Sequence, residues 1–348
     1  MIQKFTISND PNIFHGWPDV ALTPSGRLVC VFAECKHHCD RSYTRIMLCD
    51  STDRGRTWSH KRPLTEITGA ADAFYNCPRI TLLRDGRLCV IVDRCPQGGE
   101  RTHAALAISR LYFSADDGAT WSDPTVTPLH GIVPDKLLEL SDGRWIIAAH
   151  HYEDDFLTQF MHYSDDRGKT WSDRITVAKQ KGLNLCEASI LPVGETSLIA
   201  FMRENSFKGW DCKKTISHDR GETWSPVIDF PLPGCHRPVA GWLQTSHIMI
   251  THRFLQGGKC SPGMWTQNLF AALTDETSAL ATARHDSSAR ILPIDFDRSP
   301  LSDTGYSGWV QFADGEIYIV NYIVDDAIDK GQIRGYSLQL TDFILPSV

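Results

Sequence analysis

One eight-residue phrase occurs four times in this chain and limits what it can fold into. The copies are Ser51-Thr-Asp-Arg-Gly-Arg-Thr-Trp58, Ser114-Ala-Asp-Asp-Gly-Ala-Thr-Trp121, Ser164-Asp-Asp-Arg-Gly-Lys-Thr-Trp171 and Ser217-His-Asp-Arg-Gly-Glu-Thr-Trp224. They share the pattern S-x-D-x-G-x-T-W. The aspartate can accept from backbone amides ahead of it and the glycine can take a positive φ, so each copy suits a tight turn between two strands. The threonine is expected to begin the next strand, and the tryptophan to be a large apolar plug buried between blade sheets. The copies lie 63, 50 and 53 residues apart. Self-similarity at that period marks a solenoid or a propeller.

A second repeat lies upstream of each box: an apolar run, a glycine turn and another apolar run. The turn glycines are Gly26, Gly86, Gly143, Gly194 and Gly315, and a worn copy begins at Gly241-Trp242. Asp-Gly between apolar runs is a hairpin signal. Two hairpins per unit and six units of about 50–60 residues give a six-bladed, all-β propeller of four-stranded antiparallel blades. It is expected to occupy residues 1–348 as one domain, closed by pairing residues 2–7 with the last blade beside Tyr336, Leu338 and Leu340. Residues from about 257 to 300 carry no box and are the least readable.

The net charge of −7 is scattered, which argues against nucleic acid or an acidic membrane surface as a partner. No segment reads as a signal peptide or a membrane span. The 11 cysteines sit mostly in apolar strand-like runs, the pattern of reduced core thiols, so a cytoplasmic location is expected unless a signal has been removed. Cys35-Lys-His37-His38-Cys39-Asp40 is dense in soft and imidazole ligands. It lacks the second separated pair that a tetrahedral zinc site draws on, so it reads as a polar loop with buried thiols, and no metal or cofactor is expected. His37 or His38 could instead contact a sugar.

Function in a propeller gathers where the innermost strands begin. Those starts are His15-Gly-Trp17-Pro-Asp19, Asn76-Cys-Pro-Arg79, Val133-Pro-Asp135-Lys136, Leu185-Cys-Glu187, Cys235-His236-Arg237-Pro and Thr304-Gly-Tyr306-Ser. All six carry polar or ionisable groups just before an apolar strand, more than a purely structural propeller needs.

Boxes, blade count and strand starts together resemble the sialidase superfamily. Gly305-Tyr306-Ser-Gly-Trp-Val resembles the segment holding that family's tyrosine nucleophile. Cys186-Glu187-Ala-Ser-Ile-Leu, with Ala200-Phe-Met-Arg203, resembles the stretch that supplies its glutamate partner and a substrate-binding arginine. Phe32-Ala-Glu34 resembles the first-blade strand, and Asp40 falls about where the family's acid/base aspartate lies. The resemblance implies an exo-acting glycosidase with a tyrosine nucleophile, an exception to the two-carboxylate rule. Tyrosine, with a pKa near 10, needs a base, the role implied for Glu187. Asp40 would protonate the leaving oxygen and later activate water.

Two departures bear on substrate. The family's first arginine belongs in an Arg-Ile-Pro motif, where this chain reads Gly16-Trp17-Pro18. The third should fall near Trp265-Thr-Gln-Asn-Leu, which has none. Arg203 alone matches; Arg79, Arg237 and Arg253 stand near other strand starts or ends, where they could rebuild a carboxylate site. Trp17, His15, Asp19, His37 and His236 complete the candidate sugar-binding set. The expectation is weak or no release of N-acetylneuraminic acid and activity on another acidic or deoxy sugar. The alternatives are a polysaccharide lyase or other enzyme using His15, His37, His150 or His236, and a glycan-binding propeller without catalysis.

Overall fold

A computed structural model describes residues 1–69, 73–98, 104–256, 266–325 and 329–343. It is a six-bladed propeller of antiparallel sheets, four strand positions deep. The innermost strands are Phe14–Leu22, Arg79–Leu82, Leu138–Glu139, Leu185–Val193, Cys235–Trp242 and Thr304–Gln311. Each is joined to its second strand by one of the glycine turns read from sequence. The worn fifth copy places Ser246, at φ 60°, where the others place glycine. Gln3–Ser8 pairs with Gln332–Leu338 in the sixth blade, with Lys4 opposite Tyr336; Leu340 lies just beyond, in a 3₁₀ turn.

The boxes connect third to fourth strands. In the first copy, Asp53 accepts from the Thr57 amide and hydroxyl, and Ser51 Oγ accepts from the Gly55 amide at 2.8 Å. The same bonds recur in the other three copies. Two expectations are corrected. The threonine is held inside the turn by its aspartate, and the fourth strand starts later, at Arg62, Thr125, Ile175 and Ile228. The four tryptophans are half-buried. They cap the rim, and Trp58, Trp121 and Trp224 tie Nε1 to the carbonyl of their own box glycine at 3.1 Å, which keeps one indole edge at the surface.

Gly55 adopts φ 81°, and a Cβ there would run into the Tyr318 ring; Gly118 has φ 82°, and its Cβ would meet Val29 at 3.2 Å. Gly55→Val should cost about 1–3 kcal/mol in backbone strain plus about 1–3 in overpacking, and Gly118→Val nearer the strain alone. Thermal melts should show both destabilised, Gly55→Val the more.

The segment without a box supplies the third and fourth strands of blade five, Thr266–Thr274 and Arg290–Phe296. Between them, where a box would stand, is a short helix, Glu276–Leu280, capped by Asp275 Oδ1 on the Ser278 amide at 2.7 Å. Lys214, a buried lysine, donates to the Ser278 and Ala279 carbonyls at the helix's other end.

The innermost strands share an irregularity. In blades one, four, five and six, two residues oppose one on the second strand: Trp17-Pro18, Glu187-Ala188, Arg237-Pro238 and Tyr306-Ser307. The first of each pair is left-handed: Trp17 at φ 55°, Glu187 at 51°, Arg237 at 50° and Tyr306 at 58°. Val133, followed by Pro134, holds φ 52° at the matching place in blade three. In blade two, Asn76-Cys77-Pro78 interrupts the inner strand, and the Asn76 and Cys77 amides bond to Asp93 instead. Non-glycine residues in this region cost about 1–3 kcal/mol each and persist only where the surroundings over-determine them. A bulge re-aims its side chain, and Trp17, Val133, Glu187 and Tyr306 turn theirs toward one end of the axis.

Candidate active site

The strand starts of blades one, two, three, four and six border a cavity of about 630 Å³ at that end. Tyr306, Glu187 and Trp17 line it from bulge positions, Val133 and Cys77 from the third and second blades, and Arg203 from the strand beside Glu187. The Tyr306 hydroxyl donates to Glu187 Oε1. Arg203 Nη1 donates to both Glu187 oxygens, at 3.0 and 3.1 Å, and stands 3.4 Å from the Tyr306 hydroxyl; its Nη2 donates to Asn205 at 2.5 Å. All three are buried and come from blades six and four, so sequence proximity does not bring tyrosine and glutamate together.

The electrostatics suit a nucleophile and its base. Burial opposes charge on Glu187, but Arg203 and the Tyr306 hydroxyl outweigh it and hold the carboxyl down, to about 2. Burial and the adjacent carboxylate push the Tyr306 hydroxyl well above its ordinary range. The resting pair is therefore a carboxylate accepting a phenol proton. Burial takes His150 down to about 3, so it is neutral, and its Nδ1 accepts from the Glu187 amide at 3.2 Å.

Arg237 and Arg253 lie behind Tyr306 rather than in the cavity, their guanidinium carbons 5.9 and 5.0 Å from its ring centroid. Arg237 donates to the Pro134 carbonyl at 3.1 Å, and Arg253 to the Thr304 carbonyl and, at 2.9 Å, to the Tyr322 hydroxyl. Arg79 and Asp19 lie deeper, as struts between blades. Asp19 accepts from the Ile80 amide at 2.9 Å and pairs with Arg79 Nε at 3.5 Å and Lys136 at 3.1 Å. Asp135 and Ser189, one blade and two blades beyond Arg79, take the Ile190 and Ala240 amides in the same way.

The histidines divide. His15 is buried beside Lys61 and Glu34, off the cavity, and burial takes it down to about 4, so it stays neutral. His37 packs on Phe14. His236 packs edge-on to Phe207, which lines the cavity. Asp40 does not line it: exposed at the start of Asp40–Ser51, its carboxylate accepts from the Ser42 amide at 3.0 Å and hydroxyl at 2.6 Å. Its neighbours His38, Cys39 and Arg41 do line it. Cys35 is buried and donates to the His37 carbonyl. Among the described residues no three His, Cys, Asp or Glu side chains gather as a metal would need.

Sequence reasoning missed Arg41, whose guanidinium stacks 3.8 Å above Trp17 and reaches Asn76 at 3.4 Å. It also missed Asn205 and left His150 among other histidines. An arginine two residues past a box-free turn has no pattern to distinguish it from a surface charge. The expected site of a third arginine, Trp265-Thr-Gln-Asn-Leu, starts outside the described residues, but its last four residues are described and open the strand Thr266–Thr274, with no arginine among them.

The BNR repeat-like domain family matches residues 75–250, half of the chain. A sialidase of Paraclostridium sordellii is 25% identical over 199 residues, 46% of this chain and 48% of that protein. One of Clostridium perfringens is 25% identical over 191 residues, 44% and 48%. The chain spans about half the length of the curated relatives it matches. Among solved structures, a Dyadobacter fermentans protein of unknown function superposes with a TM-score of 0.78 at 17% identity, covering 97% of this chain and 99% of that one. A Hadza microbial sialidase gives 0.72 at 18%, covering 94% and 66%. Trypanosoma rangeli sialidase in complex with sialic acid gives 0.70 at 15%, covering 98% and 59%. At these identities the structural likeness shows the fold.

Proposed function

The chain belongs to the BNR repeat-like family, the Asp-box propellers of the sialidase superfamily, and we propose that it is an exo-acting glycoside hydrolase of an acidic sugar. One observation carries the reading: a tyrosine hydroxyl donating to a buried carboxylate from another blade, both residues held in left-handed bulges facing one cavity. Strain of that kind persists where the fold fixes a side chain for a purpose.

In this reading Glu187 takes the Tyr306 proton as the phenolic oxygen attacks the anomeric carbon. A neutral phenol approaches a carbon bearing a carboxylate without the repulsion a carboxylate nucleophile would meet. Double displacement returns the product with retained configuration. Arg203 and Arg41 border the cavity as cations for the substrate's anionic group, and Trp17 offers an aromatic wall. Arg203 is already shared between Glu187 and Asn205, while Arg237 and Arg253 sit behind Tyr306 and Arg79 is a strut between blades. That supports a preference for an acidic sugar other than N-acetylneuraminic acid.

The test is covalent trapping. A ketosyl fluoride of an acidic sugar with fluorine also at C3 carries a good leaving group, and the second fluorine slows breakdown of the intermediate. Mass spectrometry of the full chain should find the adduct on the Tyr306 peptide, and an aryl ketoside panel should rank N-acetylneuraminic acid below deaminated or shorter 3-deoxy-2-ulosonic acids. No adduct and no turnover across the panel would remove the glycosidase reading. Turnover of the N-acetylneuraminic ketoside at the level of ordinary sialidases would remove only the substrate preference.

A further inference from the structure

We propose that His38, oriented by Asp303, is the proton donor and acceptor on the leaving-group side of this cavity, the place that the resemblance gives to Asp40. The proposal rests on the glycosidase reading above. His38 and Asp40 belong to the same hairpin turn, two residues apart, yet His38 lines the cavity and Asp40 faces solvent, its carboxylate occupied by Ser42.

The His38 ring is fixed on several sides. Its Nδ1 lies 2.6 Å from Asp303 Oδ2. The other oxygen, Oδ1, accepts from the Tyr322 hydroxyl at 2.7 Å, which in turn accepts from Arg253 at 2.9 Å. The ring meets Trp17 edge-on, centroids 5.1 Å apart at 81°, and Phe14 at 5.9 Å. Arg41, stacked on Trp17, donates through Nε to the His38 carbonyl at 2.9 Å. Burial works against charge on Asp303, but His38 and Arg253 hold its carboxyl below the usual carboxylate range, so it remains an anion. A carboxylate on Nδ1 sets the tautomer and leaves Nε2 as the exchanging atom, the arrangement by which an aspartate orients a catalytic histidine.

Among the described residues around the ring, Asp303 faces Nδ1, Arg41 lies along the backbone and over Trp17, and His37 packs on Phe14, as His38 does. Asp40 is next but one in the turn, and Arg253 stands behind Asp303 through Tyr322. Glu187, Arg203, Cys186, His150 and Tyr152 are the ionisable groups of the fourth and third blades bordering the same cavity.

The proton balance closes with these residues and water. In the first half, the Tyr306 oxygen bonds to the anomeric carbon and its proton passes to Glu187. The glycosidic carbon–oxygen bond breaks, and the departing oxygen takes the proton from His38 Nε2, leaving neutral imidazole. In the second half, water attacks the same carbon and gives its proton to Nε2, while the tyrosyl oxygen leaves and recovers the proton held by Glu187. The sum is ketoside plus water to free sugar plus alcohol.

The experiment compares His38→Asn and Asp40→Asn in the full chain on two ketosides of the same acidic sugar, one with a nitrophenyl and one with an alkyl leaving group, together with the difluoro probe. A general acid contributes roughly 10²–10⁴-fold, chiefly where the leaving group needs a proton. His38→Asn should therefore lower kcat/KM for the alkyl ketoside at least about a hundredfold and for the nitrophenyl ketoside less than about tenfold. It should still label Tyr306 with the probe, which shows that the site is assembled. Asp303→Asn should reproduce the leaving-group dependence in weaker form. If labelling and turnover occur but His38→Asn shows no such dependence, or Asp40→Asn shows it instead, this proposal is overturned and the parent reading stands. A wild type that neither labels nor turns over overturns both.

Discussion

Tyr306→Phe loses turnover by on the order of a thousandfold or more while the protein remains folded. The ring is enclosed on one side by Arg253 and Arg237 and on another by Tyr322, at 6.3 Å. Phenylalanine fills the same space and keeps those contacts. What disappears is one hydroxyl, and with it a hydrogen bond to a charged group, about 1.5–3 kcal/mol of stability at most. Glu187 keeps its Arg203 partner, so no buried charge is stranded. Removal of a covalent nucleophile costs far more in rate than any loss of fold, since each tenfold corresponds to about 1.4 kcal/mol of barrier. Melting temperature and kcat on the same sample separate the two effects. Activity within about tenfold of wild type would refute the nucleophile and shift attention to a histidine mechanism. His150 would then lead, since of His15, His37, His150 and His236 it alone lines the cavity.

Glu187→Gln should be the most destabilising single change at the site. The amide keeps the shape but leaves the Arg203 guanidinium buried without its counter-charge, and breaking a buried ion pair from one side costs about 3–5 kcal/mol. The pH dependence follows from the sign of the shift. The folded-state pKa of Glu187, about 2, lies below its ordinary 4.5. Its contribution is therefore fully present above about pH 4.5 and is lost as pH falls through about 2. Denaturant unfolding of wild type and Glu187→Gln should show a large gap at pH 7 that narrows through this window. Equal stability of the two proteins at pH 7 would mean that the Arg203 pair contributes nothing net.

The fold was legible because it is written in repeats. Five glycine turns and four boxes fix where strands begin and end, and the period fixes how many blades must share a ring. Blade five was opaque between 257 and 300 because a capped helix replaces the box there, and five residues give no period to read. The Tyr306, Glu187 and Arg203 constellation came from resemblance rather than pattern, and the geometry brings those three together. Asp40 shows the limit. A turn of consecutive polar residues has no alternation to say which side chain faces the axis, and a shift of one position separates a cavity residue from a solvent-facing one. Asp19, Arg79, Arg237 and Arg253 show another. Charge at a strand start predicts a polar axis, but sequence does not distinguish a strut between blades from a wall of the cavity. The box tryptophans read as core by size alone, whereas three of their indole nitrogens are tied to the rim.

The repeated bulge separates two things most active sites entangle. The backbone turn at Trp17, Val133, Glu187, Arg237 and Tyr306 is set by strand pairing and by the residue that follows, often proline, and not by the side chain displayed. Five of the six blades thus offer one socket each, and the ladder on either side does not register what is plugged into it. A tryptophan, a valine, a carboxylate, a guanidinium and a phenol all occupy the same mount. Chemistry can then be rewritten one socket at a time without renegotiating the fold. Glycine in any socket would relax the backbone, because it alone takes that conformation without strain, so selection for stability alone would empty the ring.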